Sequence, residues 1–265
     1  MNAPTEKFQA SKDVFFANLV QALLNDERFV AAWLTGSYAR GNADALSDFD
    51  LTVVVSNEYC ASLCQRLEQV SAQTSPERLE LFSQFGTPAI LHENNNNAPD
   101  GGTFTFILYT HSAFMVDWTL VPQEKAARPA QAHRLFNKVV IPDAPSPEPE
   151  SLEYRVKRAS EIVAFFWMML AVTAKYLNRQ DHVFVTRWLE ELSGMQREVE
   201  RLVAGKPWEY HPGSLSPFEP TGEGQRQALM RLGEQMEEVI LKLARLGGDV
   251  RPSPMPEIRY LLSLG

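Results

Sequence analysis

The sequence predicts an α+β chain: a small mixed sheet flanked by helices over residues 1–141, a proline-rich linker at 142–150, and a helical bundle over 151–265. Three observations carry this prediction. Short apolar, β-branched runs bounded by turn residues recur as far as Val121, as strands do. Beyond Ser151 the apolar positions recur at helical spacing through long segments. Between the two, Pro142, Pro145, Pro147 and Pro149 crowd one stretch through which neither a helix nor a central strand continues.

In chain order, residues 11–26 place Val14, Phe15, Leu19, Val20, Leu23 and Leu24 at helical spacing, a first helix laid against the sheet. Residues 29–34 are apolar throughout and end in Thr35-Gly36-Ser37, a buried strand closed by a turn. Residues 51–55 are a second buried strand, entered from Asp48-Phe49-Asp50. Residues 58–70 read as a helix, and 79–82 and 88–91 as short strands. The asparagine-rich stretch 94–102 offers turn chemistry and no core. Residues 103–110 and 113–121 then form a hairpin turning at His111-Ser112. In the second half, Ser151 is an N-cap with Glu153 in the first turn, and helices cover 151–178, 182–204 and 223–246. An aromatic loop at 206–212 separates the last two.

The chemistry is concentrated in two short motifs. Gly36-Ser37 is followed after ten residues by Asp48-Phe49-Asp50. Gly36 lets the backbone bend sharply and a ligand come close. Ser37 is placed to cap the turn that runs through Arg40, where free N–H groups and a hydroxyl suit a phosphate oxygen. Strand alternation puts Asp48 and Asp50 on one face and Phe49 on the other. Two carboxylates so placed repel unless a cation sits between them, and an all-oxygen donor set beside a phosphate favours Mg²⁺. Asp117, among Met115, Val116 and Trp118, is a third carboxylate in an apolar strand, where it needs a partner. Each piece has a plainer reading alone: a capped strand-to-helix turn, a solvated Asp-x-Asp, a satisfied core aspartate.

In this order, with Leu34-Thr35-Gly36-Ser37, Ser47-Asp48-Phe49-Asp50-Leu51 and Val116-Asp117-Trp118, the chain resembles the polymerase-beta-like nucleotidyltransferase superfamily. Within it the chain is most similar to the aminoglycoside and lincosamide antibiotic nucleotidyltransferases, which add a C-terminal helical domain to the same core. The resemblance implies transfer of a nucleoside monophosphate, AMP from ATP, onto a hydroxyl of a small molecule. By that resemblance Asp48 and Asp50 bind Mg²⁺, Gly36 and Ser37 hold the β- and γ-phosphates, and Asp117 ligates a second metal or takes the acceptor's proton. Phe166-Trp167 and residues 174–179 are similar to the family's central helix, which points to Lys175 at the nucleotide phosphates; a surface lysine complementing the helix C-terminus is the alternative. Arg40 faces the triphosphate or a structural ion pair. Glu80, Glu93 and Glu161 are candidate bases, none in a motif, so the base is Asp117 or unassigned.

Two rival readings stand beside this one. A protein-adenylylating, antitoxin-type nucleotidyltransferase is usually a bare core, which the helical half argues against. A nucleotide-sensing domain without chemistry is opposed by the three carboxylates. Some relatives complete the cleft with a second subunit, so the resemblance admits a homodimer.

Composition narrows the acceptor. With 25 Lys and Arg against 33 Asp and Glu, the net charge is −8 and no basic block appears, which argues against a nucleic-acid acceptor. An acidic cleft favours a polycationic small molecule such as an aminoglycoside. Cys60 and Cys64 lack a zinc-ligand pattern and read as free thiols of a reducing cytosol. The polar N-terminus has no signal-peptide pattern. The longest charge-free apolar stretch, 162–174, is shorter than the roughly twenty residues that span a bilayer. A cytoplasmic protein with no membrane partner is therefore expected.

Overall fold

One six-stranded mixed sheet is built from β1 (Phe29–Leu34), β2 (Phe49–Val55), β3 (Pro88–Glu93), β4 (Thr103–Tyr109), β5 (Met115–Pro122) and β6 (His133–Asn137). The spatial order is β3-β4-β5-β2-β1-β6. Strands β2 and β5 run parallel, and the other neighbouring pairs are antiparallel. The structure is a computed structural model that describes residues 3–68, 73–146, 148–208 and 221–264. The chain divides into two compact units, Met1–Ser146 and Pro147–Gly265. The predicted α+β class holds.

Both faces of the sheet are covered near its centre. Phe49, Leu51, Val53 and Val55 of β2 and Val116, Trp118 and Leu120 of β5 join Leu19 and Leu23 of α1 (Ala3–Asn25) in one apolar cluster. Val54 and Val121, from the alternate positions, join Val30, Ala31 and Trp33 in a second cluster on the other face. All six residues of β1 are buried, which accounts for its unbroken apolar run. The hairpin between β4 and β5 turns through His111 and Ala113, at φ 64° and 58°.

Several local expectations need correction. Residues 79–82 are not a strand; they lie in α4 (Pro76–Ser83). Ser75 caps that helix by accepting from the Arg78 N–H at 3.2 Å, and Pro76 occupies its first turn, so the start signal outweighs the short apolar run. The helix expected over 58–70 is a 3₁₀ turn at Asn57–Tyr59 followed by α3, only Cys60–Leu63. Beyond its end the Leu63 and Gln65 carbonyls accept from Arg78 Nη1, at 3.2 and 2.9 Å, instead of from a further helical turn. Residues 69–70 of that expected helix lie outside the described residues, as do 209–212 of the expected aromatic loop. Cys60 and Cys64 are free thiols, and burial pushes the Cys64 thiol up to about 12.

The second unit is a bundle of α5 (Leu152–Asn178), α6 (His182–Ala204), α7 (Gly222–Arg245) and α8 (Met255–Leu262). Side chains of Ser151, Asp181 and Thr221 cap the first three by accepting from the N–H groups of Tyr154, Phe184 and Gly224. Phe166, Leu170 and Ala174 of α5 pack with Leu189 and Leu192 of α6, Leu229 and Met236 of α7 and Ile258 of α8. By length and composition α5 is apolar enough to cross a membrane, a property the 162–174 stretch understated; here 44% of its most apolar window is buried within the chain.

Candidate active site

The end of β1 and the start of β2 place the Gly36 turn against the aspartates. Thr35 N–H donates to the Asp50 carbonyl at 2.9 Å, and its hydroxyl reaches the same oxygen at 3.4 Å. The turn opens the short helix α2 (Gly36–Arg40), which ends at Gly41 in the left-handed region. Gly36 has φ +59°, and a Cβ built there would stand 1.7 Å from Asp50 Oδ2. Glycine is therefore required twice, for the backbone and for the carboxylate beside it.

Ser37 is not the cap that the sequence suggested. Thr35 holds the N-cap position, without a side-chain cap bond, and Ser37 lies inside the turn. Its hydroxyl oxygen is buried with no hydrogen-bond partner among the described residues. An unsatisfied buried hydroxyl is uncommon and is suited to accept or donate to a ligand.

Asp50 and Asp117 share one face of the sheet. Phe49 is 1% exposed and points into the α1 side, so Asp50 projects to the opposite face. Asp117 pairs with Asp50 in the parallel β2–β5 ladder, on that same face. Asp48 is half-buried and lies one residue before β2. Burial, then the charges of Asp48 and Asp50, push the Asp117 carboxyl up to about 7. Burial and then Asp48 also raise Asp50, while the nearby Arg40 pulls it down. Asp117 Oδ1 is buried and has no hydrogen-bond partner among the described residues.

These features fit a hard divalent cation. All the donors are oxygens, the charge of Asp48 raises the Asp50 carboxyl and both raise Asp117, and one carboxylate oxygen is orphaned. Among the described residues no three His, Cys, Asp or Glu side chains are gathered into a ready cage for a metal. Mg²⁺ does not need one: it is held by one or two carboxylates together with substrate phosphates and waters.

The other candidates separate. Glu93 is fully buried and is held by Arg78 through Nη2–Oε1 at 2.7 Å and Nε–Oε2 at 3.1 Å, with Thr74 Oγ1 also donating at 2.7 Å. Its lone pairs are committed to structure. Glu80 is exposed on α4, and Glu161 pairs with Arg158 on α5 at 3.4 Å. Lys175 is exposed near the end of α5, its ammonium 5.0 Å from the Tyr176 ring centroid. The spacing of the sequence did not mark Lys12, which α1 brings beneath Tyr38 and Phe49. A lone lysine among helical apolar positions is the only signal it leaves.

Residues 10–204 match the family model described as streptomycin adenylyltransferase. That span includes the Gly36 turn, all three aspartates and Lys175. Comparison with curated proteins gives no match.

Proposed function

The chain belongs to the streptomycin adenylyltransferase family and is an adenylyltransferase; from that premise we propose that it moves AMP from ATP onto a hydroxyl of an aminoglycoside-like small molecule, with Mg²⁺, releasing pyrophosphate. The observation that carries the site assignment is the side-by-side placement of Asp50 and Asp117 on the face where Gly36 meets Asp50.

In this reading Asp48 and Asp50 hold Mg²⁺, which when bound offsets triphosphate charge and favours in-line displacement at the α-phosphorus. Gly36 and Ser37 hold the β- and γ-phosphates through a backbone N–H and the unpaired hydroxyl. The acceptor oxygen forms a bond to the α-phosphorus as the α–β bridging bond breaks, and pyrophosphate leaves with the electron pair. The acceptor's proton goes to Asp117, whose carboxyl, near 7, is matched to that task. The alternative role for Asp117 is to ligate a second cation in place of taking the proton. Lys175 is assigned to the nucleotide phosphates and the helical unit to acceptor choice. The net charge of −8 supports a cationic acceptor.

The test is incubation with ATP, Mg²⁺ and a panel of aminoglycosides and lincosamides, streptomycin included. Pyrophosphate release that requires an acceptor, with AMP found on that acceptor, is the expected result. AMP appearing on protein instead, or no release with any acceptor, would overturn the reading.

A further inference from the structure

Behind the carboxylate face, on the other side of β2, lies Lys12. It is 2% exposed. Burying an ammonium is costly unless acceptors surround it. Here Nζ donates to the Ala45 carbonyl at 3.3 Å and to the Ser47 carbonyl. It also stands 4.9 Å from the Phe49 ring centroid and 5.5 Å from that of Tyr38, within cation–π range of both. Burial pulls its pKa down, and the charges of Asp44, Asp48 and Asp13 oppose this.

Each contact leads to one half of the motif. The Ser47 carbonyl belongs to the planar peptide that joins Asp48, so the bond to Lys12 orients that peptide. The acceptors are preset: Asp44 Oδ1 accepts from the N–H groups of Leu46 and Ser47, at 2.9 and 2.8 Å, and from the Ser47 hydroxyl. Phe49 separates Asp48 from Asp50, and Tyr38 directly follows Ser37. The two rings stack with centroids 5.1 Å apart, and Phe16 stacks on Phe49 at 4.4 Å.

We propose that Lys12 is a positioning residue for adenylyl transfer: its buried ammonium ties the Gly36–Ser37 turn to the Asp48–Asp50 segment and keeps phosphate and carboxylate groups in one geometry. The proposal rests on the assignment of that site under Proposed function. It separates position from charge. Removing a nearby cation would by itself tighten a divalent ion at the aspartates, whereas losing their alignment loosens it.

The experiment compares Lys12→Met, which keeps the unbranched stem, and Lys12→Arg, which keeps the charge and donors, with the parent protein. Mn²⁺ binding to the nucleotide-free protein is measured by calorimetry, kcat with ATP and streptomycin, and Tm by circular dichroism. Lys12→Met is expected to bind Mn²⁺ about tenfold more weakly and to lose about tenfold or more in kcat, with Lys12→Arg restoring both. Equal or tighter Mn²⁺ binding in Lys12→Met, or no restoration by Lys12→Arg, overturns the proposal. If Lys12→Met does not fold, Lys12→Gln is measured in the same way; if neither folds, a purely structural role replaces positioning. Absence of turnover in the parent protein refutes the proposed function instead, and Mn²⁺ binding then decides Lys12. A parent protein that neither turns over nor binds Mn²⁺ removes both.

Discussion

Gly36 and Asp50 are in direct contact: the Asp50 carboxylate fills the space where a side chain at position 36 would begin, Oδ2 lying 1.7 Å from the ideal Cβ position. Gly36→Ala must therefore turn the carboxylate away and also hold alanine at φ +59°. We expect kcat to fall about 100-fold and stability by about 1–2 kcal/mol. Steady-state kinetics with a denaturant titration checks this, and an alanine variant with parental kcat would show that the Asp50 carboxylate need not stay where it is.

Asp50→Ala is expected to abolish turnover while leaving the fold intact, because Asp50 is half-buried and burial and the Asp48 charge raise its pKa, so its ionised form is a cost to the fold that alanine removes. Its circular dichroism spectrum should match the parent. Persistent adenylyl transfer by this variant would refute the assignment of the site.

The pH dependence follows from Asp117. Its folded-state pKa, near 7, lies above the ordinary 3.8, so the folded protein binds more protons than the unfolded chain between these values. That contribution to stability is present below about 4 and is lost as pH rises toward 7. The metal-free protein should therefore lose Tm across this window, and Asp117→Asn should flatten the loss. Mg²⁺ added near pH 8 should raise Tm more in the parent than in Asp117→Asn. Scanning calorimetry at several pH values checks both, and parallel curves for the two proteins would contradict the assignment.

Arg78 and Glu93 form a fully buried pair, with both side chains at 0% exposure. Arg78→Ala leaves Glu93 as an uncompensated buried charge and should cost about 3–5 kcal/mol. Glu93→Gln should likewise lower the urea midpoint. An inactive Glu93→Gln of unchanged stability would instead restore Glu93 as a candidate base.

Lys175 is exposed, so Lys175→Ala should leave Tm unchanged. If it meets the nucleotide phosphates, the KM for ATP should rise about tenfold, the value of one charge-assisted hydrogen bond. An unaltered KM would leave it as a lysine at a helix end.

Much of this architecture is legible residue by residue. The unbroken apolar run of β1 and the helical periodicity of α1, α5, α6 and α7 emerge from spacing alone, because local burial imposes those periods. β6, His133–Asn137, leaves no such signature, being an edge strand with only two apolar residues; it exists because β1 offers an open edge. α8 leaves none for a similar reason, being eight residues long after two prolines. At 79–82 the apolar content alone suggests a strand, and the Ser75 cap decides for helix.

For the site, the sequence by itself determined that Asp50 faces away from Phe49 and that a glycine turn precedes it, since chain alternation and backbone permissiveness are local properties; Asp48 lies one residue before β2, where that alternation does not reach. Only the tertiary structure decided that β2 lies parallel to β5 with Asp50 opposite Asp117, and that Glu93 is spent on Arg78. It also decided that Lys12 reaches the carbonyls of Ala45 and Ser47 from more than thirty residues away. Strand neighbours and buried ion partners are chosen by the packing of the whole sheet, and no periodicity within one segment records that choice.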